Sequence, residues 1–464
     1  MALPSPKHLN LDGTRWEMRP EIEPLLRGVL AAPARVIKES APKLVTEQGV
    51  ANQSFYIKRY RHGAVPLRPL KFFFKSSQAR QEWRLAQALE ERGVPIVRHA
   101  ALGERWGRTG LLESILITEA FAGIPANEVV ALPLPVVVAF IERIWKAGVV
   151  QRDLHPANLL VHPETFEMRL VDLHGIVLRE TPAESDLDAM LAAAHMTLPI
   201  PVSPRVAQLS LAMRKKLLHA RSRRCLKTNR DFAQKKFGAW PWHVRTAAVT
   251  PTLETILLAP DDFLQSTAQA LKRGRSSTVG AAHGLVLKRY NFKKPLNLLK
   301  DLFRGSRARR GFRKAHHLEL AGVATPRVLA AADHRVAGLP SRSYLLMEEI
   351  PDAVDAAQWA GVPRPAARAL GELLARLHHE GFTHRDLKET NVLFDSSGVP
   401  HLIDLDGLEF VSEVSAAEAA ANLQRLARGL AAAGKLTRAN LITFLLTYCR
   451  RRHVRPRLLF PTRA

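Results

Sequence analysis

The stretch His384-Arg385-Asp386-Leu387-Lys388-Glu389-Thr390-Asn391 carries the residue types that phosphoryl transfer needs, and Asp404 follows thirteen residues later in Leu402-Ile403-Asp404-Leu405-Asp406-Gly407. Moving a phosphoryl group asks little covalent chemistry of a protein. It asks for cations and oxygen ligands held around the phosphates, and a group that positions the attacking hydroxyl. Asp386 is the candidate acceptor of that hydroxyl's proton. Asn391, through its amide oxygen, and Asp404, through its carboxylate, offer the hard oxygen donors that Mg2+ prefers. Lys388 would add positive charge at the transferring group. Ninety-eight residues before Asp386, Lys288 lies in Leu285-Val286-Leu287-Lys288-Arg289-Tyr290. A strand there would carry its ammonium toward the α- and β-phosphates of ATP.

The same scheme occurs earlier in the chain. Lys58 is the strand lysine of Phe55-Tyr56-Ile57-Lys58-Arg59-Tyr60, Asp153 the base, and Asn158 and Asp172 the metal ligands. Gln151 stands where the other copy has His384, and His155 where it has Lys388. From Lys58 to Lys288 is 230 residues, from Asp153 to Asp386 is 233, and from Asp172 to Asp404 is 232. Residues 78–97 match 307–326 in the same order, and Trp16-Glu-Met-Arg matches Trp242-His-Val-Arg. So long a period excludes a solenoid and means duplication of a whole domain. The expected domains are 1–237 and 238–464, with Trp240-Pro241-Trp242 bracing the join.

These residues need elements to position them. The runs around Lys58 and Lys288 are rich in β-branched and aromatic residues and predict strands. Segments 78–92 and 307–321 have helical periodicity and end at Gly93 and Gly322. Further strands are expected at 115–121 and 344–350, helices at 136–147 and 365–379, then short strands at 158–161, 169–172, 391–394 and 401–404. Strands first and helices later in each copy predict an α+β arrangement in two lobes.

The strand lysine, the HRD-to-Asn loop and the later Asp, in that order twice, resemble the eukaryotic-protein-kinase-like superfamily. The KRY strand, the DLHPAN loop and the lack of a long activation segment make the chain similar to the bacterial lipopolysaccharide core kinases, the heptose and Kdo kinase family. The resemblance covers most of each half. It implies two tandem bilobal kinase-like domains, each with a small β-rich lobe and a larger helical lobe, with ATP between the lobes and Mg2+ on its phosphates. The implied acceptor is a sugar hydroxyl of lipopolysaccharide core. Kinases pair the strand lysine with a glutamate on the first helix. Glu82 fits that role in the first copy, whereas Gly311 occupies the position in the second, and Glu319 lies too far along the helix to substitute. The histidine replaced by Gln151 mostly supports packing in kinases, so its loss need not abolish activity. Neither copy has a G-x-G-x-x-G loop. Gly274, Ser276, Ser277 and Gly280 are the nearest candidates in the second copy, Ser40 and Gly49 in the first. A protein kinase, and a pseudokinase scaffold that binds ATP or anionic lipid, remain alternatives.

Composition sets outer bounds. The 464 residues carry 68 Lys and Arg against 43 Asp and Glu, a formal charge of +25. Such a charge attracts anions. Basic runs cluster at 214–227, 304–314 and 450–457. Arginine suits bidentate phosphate binding. An anionic inner-membrane surface and a phosphorylated glycolipid are the expected partners. No recognition motif points to specific nucleic acid. The adjacent pairs His316-His317 and His378-His379 do not face one site on a helix and are read as non-ligands. The apolar run 131–140 is interrupted by Pro133 and Pro135, too short to span a bilayer, and reads as a buried helix. Cys225 and Cys449 give no zinc spacing and no disulfide framework. No signal peptide is expected at the N-terminus, so the chain reads as cytoplasmic and peripheral on the inner membrane. Oligomeric state is left open.

Overall fold

The computed structural model describes residues 5–40, 42–50, 52–62, 69–151, 154–291, 305–336, 339–359 and 363–456. The chain divides into two compact units, Met1–Met213 and Arg214–Ala464. The division falls inside the helix Pro204–Ser222. Residues just after it pack in the second unit. Arg214 pairs with Glu380, Lys215 Nζ donates to the Ser412 carbonyl at 2.9 Å, and Phe232 meets the Phe312 ring edge-on at 5.8 Å.

The first unit opens with seven antiparallel strands: β1 (Lys7–Leu11), β2 (Thr14–Met18), β3 (Arg35–Ser40), β4 (Lys43–Val50), β5 (Gln53–Arg61), β6 (His99–Gly107) and β7 (Gly110–Glu119). Their order across the sheet is β1-β2-β6-β7-β5-β4-β3. Alternation along β5 gives the sheet two faces. Phe55 and Ile57 bury against Trp16, Met18 and the helix Leu26–Ala31. Tyr60 buries with Leu102 and Leu116 against Ala79 and Trp83 of the helix Gln78–Glu91. Lys58 shares the face of Tyr60, and its sheet neighbours are Val45 and Leu116. The helical lobe is built from Leu134–Lys146, Glu184–His195 and the start of Pro204–Ser222. Short strands β8 (Ile124–Pro125), β9 (Val149–Gln151), β10 (Leu159–Val161), β11 (Met168–Leu170) and β12 (Ile176–Leu178) frame the loop that carries Asn158.

The second unit repeats this plan. Strands β13 (Phe232–Phe237), β14 (Trp240–Arg245), β15 (Gln269–Arg273), β16 (Ser277–Ala282), β17 (Leu285–Tyr290), β18 (Val328–Val336) and β19 (Leu339–Glu348) take the same permuted order, β13-β14-β18-β19-β17-β16-β15. Leu287 buries with Trp242, Val244 and Leu346 on one face. Tyr290 and Leu345 bury with Ala308, Phe312 and Ala315 of the helix Arg307–Leu320 on the other. The helical lobe holds Pro363–His379, Ala416–Ala432 and Arg438–Arg452, with β20 (Val354–Asp355), β21 (Phe382–His384), β22 (Val392–Phe394), β23 (Pro400–Leu402) and β24 (Leu408–Phe410). The chain is thus two tandem bilobal kinase-like domains of the α+β class.

The duplication extends to side-chain contacts. Arg19 pairs with Glu90 and donates to the His99 carbonyl; Arg245 pairs with Glu319 and donates to the Val328 carbonyl. Ser77 caps its helix and donates to Glu104 at 2.8 Å; Ser306 caps the other and donates to Asp333 at 3.1 Å. These paired caps fix Glu82 and Gly311 as equivalent helix positions.

Three details differ from the pattern expectations. Trp240 and Trp242 belong to the second sheet. They lie on β14, where Trp242 is buried, donates from its indole to the Leu257 carbonyl at 3.0 Å and packs near Tyr344. Gly280 lies within β16 rather than in a phosphate loop. A Cβ there would come within 2.8 Å of the Ala268 Cβ, so close packing explains its lack of a side chain. The apolar run 131–140 only enters a helix at Leu134, and Val137 and Phe140 are buried while Val136 is exposed. Both cysteines are buried and unpaired. Among the described residues no helix is long and apolar enough to cross a membrane.

Phe312 is fully buried between its helix and the second sheet. Phe312→Ala is expected to cost about 3–5 kcal/mol of that unit's stability. Denaturant unfolding, with hydrogen exchange read along residues 307–320, checks this; a loss below about 1 kcal/mol would contradict the packing described.

Candidate active site

In the first unit the strand lysine meets its expected partner. Lys58 Nζ lies 2.6 Å from Glu82 Oε1, and both side chains are nearly buried. His99 Nε2 approaches the same oxygen at 3.6 Å. Burial would raise the Glu82 pKa, but His99 and Lys58 outweigh it and hold the group at about 2. Asp172 is exposed and accepts the His174 backbone N–H at 3.1 Å. Asn158 ends the one-turn helix Pro156–Asn158, whose start is capped by His155 Nδ1 accepting from Ala157 N at 3.1 Å. That contact gives His155 a capping role. Asp153 lies outside the described residues.

In the second unit Gly311 leaves the lysine without a helix carboxylate. Lys288 Nζ instead donates to Asp404 Oδ1 at 2.8 Å. Glu319 is engaged by Arg245 and by His316, 3.2 Å away, so it does not substitute. Asp404 lies two residues beyond β23, not at a strand end, with a left-handed φ of 54° that breaks the ladder and turns its carboxylate into the cleft. Burial would raise its pKa; Lys288, with help from Lys272, keeps it below the ordinary value.

His384 joins the two halves of this loop. Its Nδ1 accepts from the Asp386 backbone N–H at 3.2 Å, which leaves the proton on Nε2 to donate to the Asp404 carbonyl at 3.1 Å. Burial lowers its pKa and favours this neutral ring. One imidazole therefore spans the backbones of both carboxylate residues. Gln151 reproduces only part of this. Its amide donates to the His174 carbonyl at 3.0 Å, while its buried Oε1 finds no donor among the described residues.

Lys388 Nζ stands 3.4 Å from Asp386 Oδ2, and both are well exposed. Asn391 is buried and its amide nitrogen donates to the Asp386 carbonyl at 2.7 Å. That bond uses the donor end of the amide and leaves the oxygen as the end available to a cation. Lys288, Lys388, Asn391 and Asp404 line one cleft of about 630 Å³ in the second unit. Asn391 and Asp404 supply an amide and a carboxylate oxygen, a donor set that fits Mg2+.

Sequence reasoning missed the cleft's walls. Val279, Val286, Leu345 and Met347 come from the small lobe, and Leu393 and Ile403 from the large one. Strand alternation was the available signal, but which face turns to the cleft depends on tertiary packing. It also missed Lys272 on β15, a third lysine lining the cleft, and His99 beside Glu82. In the phosphate-loop region the β15–β16 turn contains Gly274, whose N–H donates to the Ser277 carbonyl at 3.0 Å. Ser277 begins β16, and Gly49 of the first copy lies within β4.

A β-rich lobe over a helical lobe, with Lys288, Asn391 and Asp404 converging between them, defines the protein-kinase-like class. Comparison with known proteins is consistent. The pattern described as the Lipopolysaccharide kinase (Kdo/WaaP) family matches twice, over residues 28–204 and 269–448, and the chain belongs to that family. A 3-deoxy-D-manno-octulosonic acid kinase of Xanthomonas oryzae pv. oryzae is 42% identical over 98 residues, covering 20% of this chain and 39% of the relative. A protein of the same name from Photobacterium profundum is 37% identical over 114 residues, 24% of this chain and 47% of the relative. The matched parts thus span less than half the length of these curated relatives. Among solved structures, WaaP in complex with acyl carrier protein aligns at 21% identity with a TM-score of 0.32, over 42% of this chain and 87% of that one.

The Glu82 carboxylate stays charged in the fold down to about pH 2 but titrates near 4.5 when unfolded. Its stabilisation is therefore present above pH 4.5 and is lost as the pH falls toward 2. Wild type is expected to lose on the order of 3 kcal/mol more than Glu82→Gln across that window. Urea unfolding of both proteins between pH 5 and pH 2 checks this; parallel pH profiles would contradict the ion pair.

Proposed function

We propose that the chain is an ATP-dependent kinase that phosphorylates a sugar hydroxyl of lipopolysaccharide core, heptose or Kdo. The observation that carries this reading is the convergence of Lys288, Lys388, Asn391 and Asp404 on one cleft with apolar walls. The walls fit a flat adenine base. Lys288 is positioned to exchange its Asp404 contact for the α- and β-phosphates of ATP. Asn391 and Asp404 would hold magnesium, which when bound neutralises charge on the β- and γ-phosphates. Asp386 orients the acceptor hydroxyl and takes its proton as the oxygen attacks the γ-phosphorus, while the bond from that phosphorus to the β,γ-bridging oxygen breaks and ADP leaves. Lys388, beside Asp386, stabilises charge on the transferring group. His384 keeps the base and the metal ligand in register through their backbones.

The first copy supports a parallel role for Lys58 and Glu82 in nucleotide binding, for Asn158 and Asp172 as metal ligands, and for Asp153 as base. Its Lys58–Glu82 pair favours nucleotide binding, while Gln151 makes its loop less fully braced than that of the second copy. A pseudokinase role for this copy is the second reading. The charge of +25 supports a polyanionic glycolipid acceptor and a peripheral position on the anionic inner-membrane surface from the cytoplasmic side.

In a chain whose first copy is silenced by Asp153→Ala, adding Asp386→Ala is expected to lower phosphate transfer to core oligosaccharide by about 10²–10⁴-fold. Asp153→Ala, assayed alone, reports whether the first copy also turns over. Wild-type transfer in the double variant would remove the assignment of the base. Radiolabelled ATP offered with lipid and protein acceptors side by side separates a glycolipid kinase from a protein kinase.

A further inference from the structure

Three consecutive phenylalanines, Phe72, Phe73 and Phe74, lie between β5 and the helix Gln78–Glu91, flanked by Lys71 and Lys75. The short helix Pro69–Phe73 sets their directions. Phe72 turns inward. It is half-buried, its ring centroid is 4.3 Å from that of His62, and Lys71 Nζ stands 4.8 Å from the same ring. The other two turn outward. Phe74 is 96% exposed and Phe73 56%, and Leu70 of the same turn is 43% exposed. Phe73 meets one further ring, that of the half-buried Trp106 on β6, at 5.6 Å. Apolar residues scattered singly over a surface are ordinary, but four gathered on one tip need a reason.

The sheet holds this tip in place. Gly110 of the β6–β7 hairpin has a φ of 112°, and a Cβ there would collide with the Pro69 carbonyl. Glycine lets the hairpin backbone approach the turn that closely. The Phe74 N–H donates to the Lys71 carbonyl at 3.2 Å, and Ser77 caps the helix that follows. The exposed rings are therefore presented at a fixed position.

Cations surround them. Lys71, Lys75, Arg105 and Arg108 are all exposed. Arg105 pairs with Glu113 at 3.4 Å, whereas among the described residues Lys71, Lys75 and Arg108 pair with no carboxylate. Lysine is depleted in protein–protein interfaces, which also need a broad complementary face. A protruding tip of Phe, Leu and Trp ringed by unpaired cations instead matches the boundary of an anionic bilayer. There, apolar and aromatic side chains enter the headgroup level while Lys and Arg meet lipid phosphates.

We propose that Pro69–Lys75, with Trp106 and Arg108, is the surface by which the first unit docks on an anionic phospholipid bilayer. Phe73 and Phe74 enter the headgroup region, and Lys71, Lys75 and Arg108 lie against lipid phosphates. This surface presupposes the peripheral position proposed above, and it is independent of the sugar acceptor and of which copy transfers phosphate. The docked segment joins the strand carrying Lys58 to the helix carrying Glu82, so the small lobe of that copy lies at the lipid surface.

Sedimentation of the full chain with vesicles tests it, using phosphatidylcholine alone and phosphatidylcholine mixed with phosphatidylglycerol. Partitioning onto the mixed vesicles is expected. It should weaken at least about tenfold in Phe73→Ser/Phe74→Ser and persist in Phe73→Trp/Phe74→Trp. Lys71→Gln/Lys75→Gln should weaken it by about tenfold at low salt and flatten its salt dependence. An unchanged thermal midpoint in each variant shows that the loss is not unfolding. Wild-type partitioning in both the serine and the glutamine variants overturns this surface and leaves the peripheral position standing; a wild-type chain that does not partition onto mixed vesicles overturns both. Equal binding to neutral vesicles also overturns the proposal. So does a change of oligomeric mass in Phe73→Ser/Phe74→Ser with vesicle binding intact, which would make the patch an interface between copies.

Discussion

An ammonium group in a half-buried cleft is held charged by a nearby carboxylate, because desolvation without compensation favours the neutral form. That constraint organises both units. In the first, Lys58 meets it on the helix through Glu82, beside His99. In the second, the helix offers glycine, and Lys288 meets it on the loop after β23 through Asp404. The lysine stands at the equivalent strand position in both cases. What changes is whether it ties the sheet to the helix or the small lobe to the large one.

This difference has consequences for nucleotide chemistry. A lysine fixed to a helix glutamate is already oriented toward the phosphates before ATP arrives. A lysine resting on Asp404 compensates the charge that a cation would otherwise neutralise; under the proposed function the pair would have to open for metal and nucleotide to enter. The second copy nevertheless has the better braced loop, since His384 links Asp386 and Asp404 through one neutral ring. Gln151 donates instead to the His174 carbonyl, two residues beyond Asp172, and leaves its own oxygen unsatisfied among the described residues. Duplication let the parts of one machine drift apart between two copies.

The helix that lost its glutamate also gained charge. Arg307–Leu320 keeps the serine cap, the buried alanines and the aromatic of its counterpart, so its packing against the sheet is unchanged in kind. Its opposite side carries cations that the first copy lacks. Packing constrains one stripe of a helix and leaves the other free to vary. That separation is why the two helices can be equivalent in the fold and different in electrostatics.

The sequence by itself determined the duplication, the α+β class, the two-lobed plan and the identity of the cleft residues Lys288, Lys388, Asn391 and Asp404. These follow from local patterns: strand alternation, helix caps, and chemistry-bearing residues at fixed spacing. It also showed that Gly311 removes a helix carboxylate. Only the tertiary structure decided what replaces it, because Asp404 is 116 residues from Lys288 along the chain and reaches it through a left-handed turn. The apolar walls, Lys272, the His384 bridge and the packing role of Gly280 were likewise decided by which faces the lobes bring together. Spacing along a chain specifies which groups are present; the distance between them in space is set by packing between elements far apart in sequence.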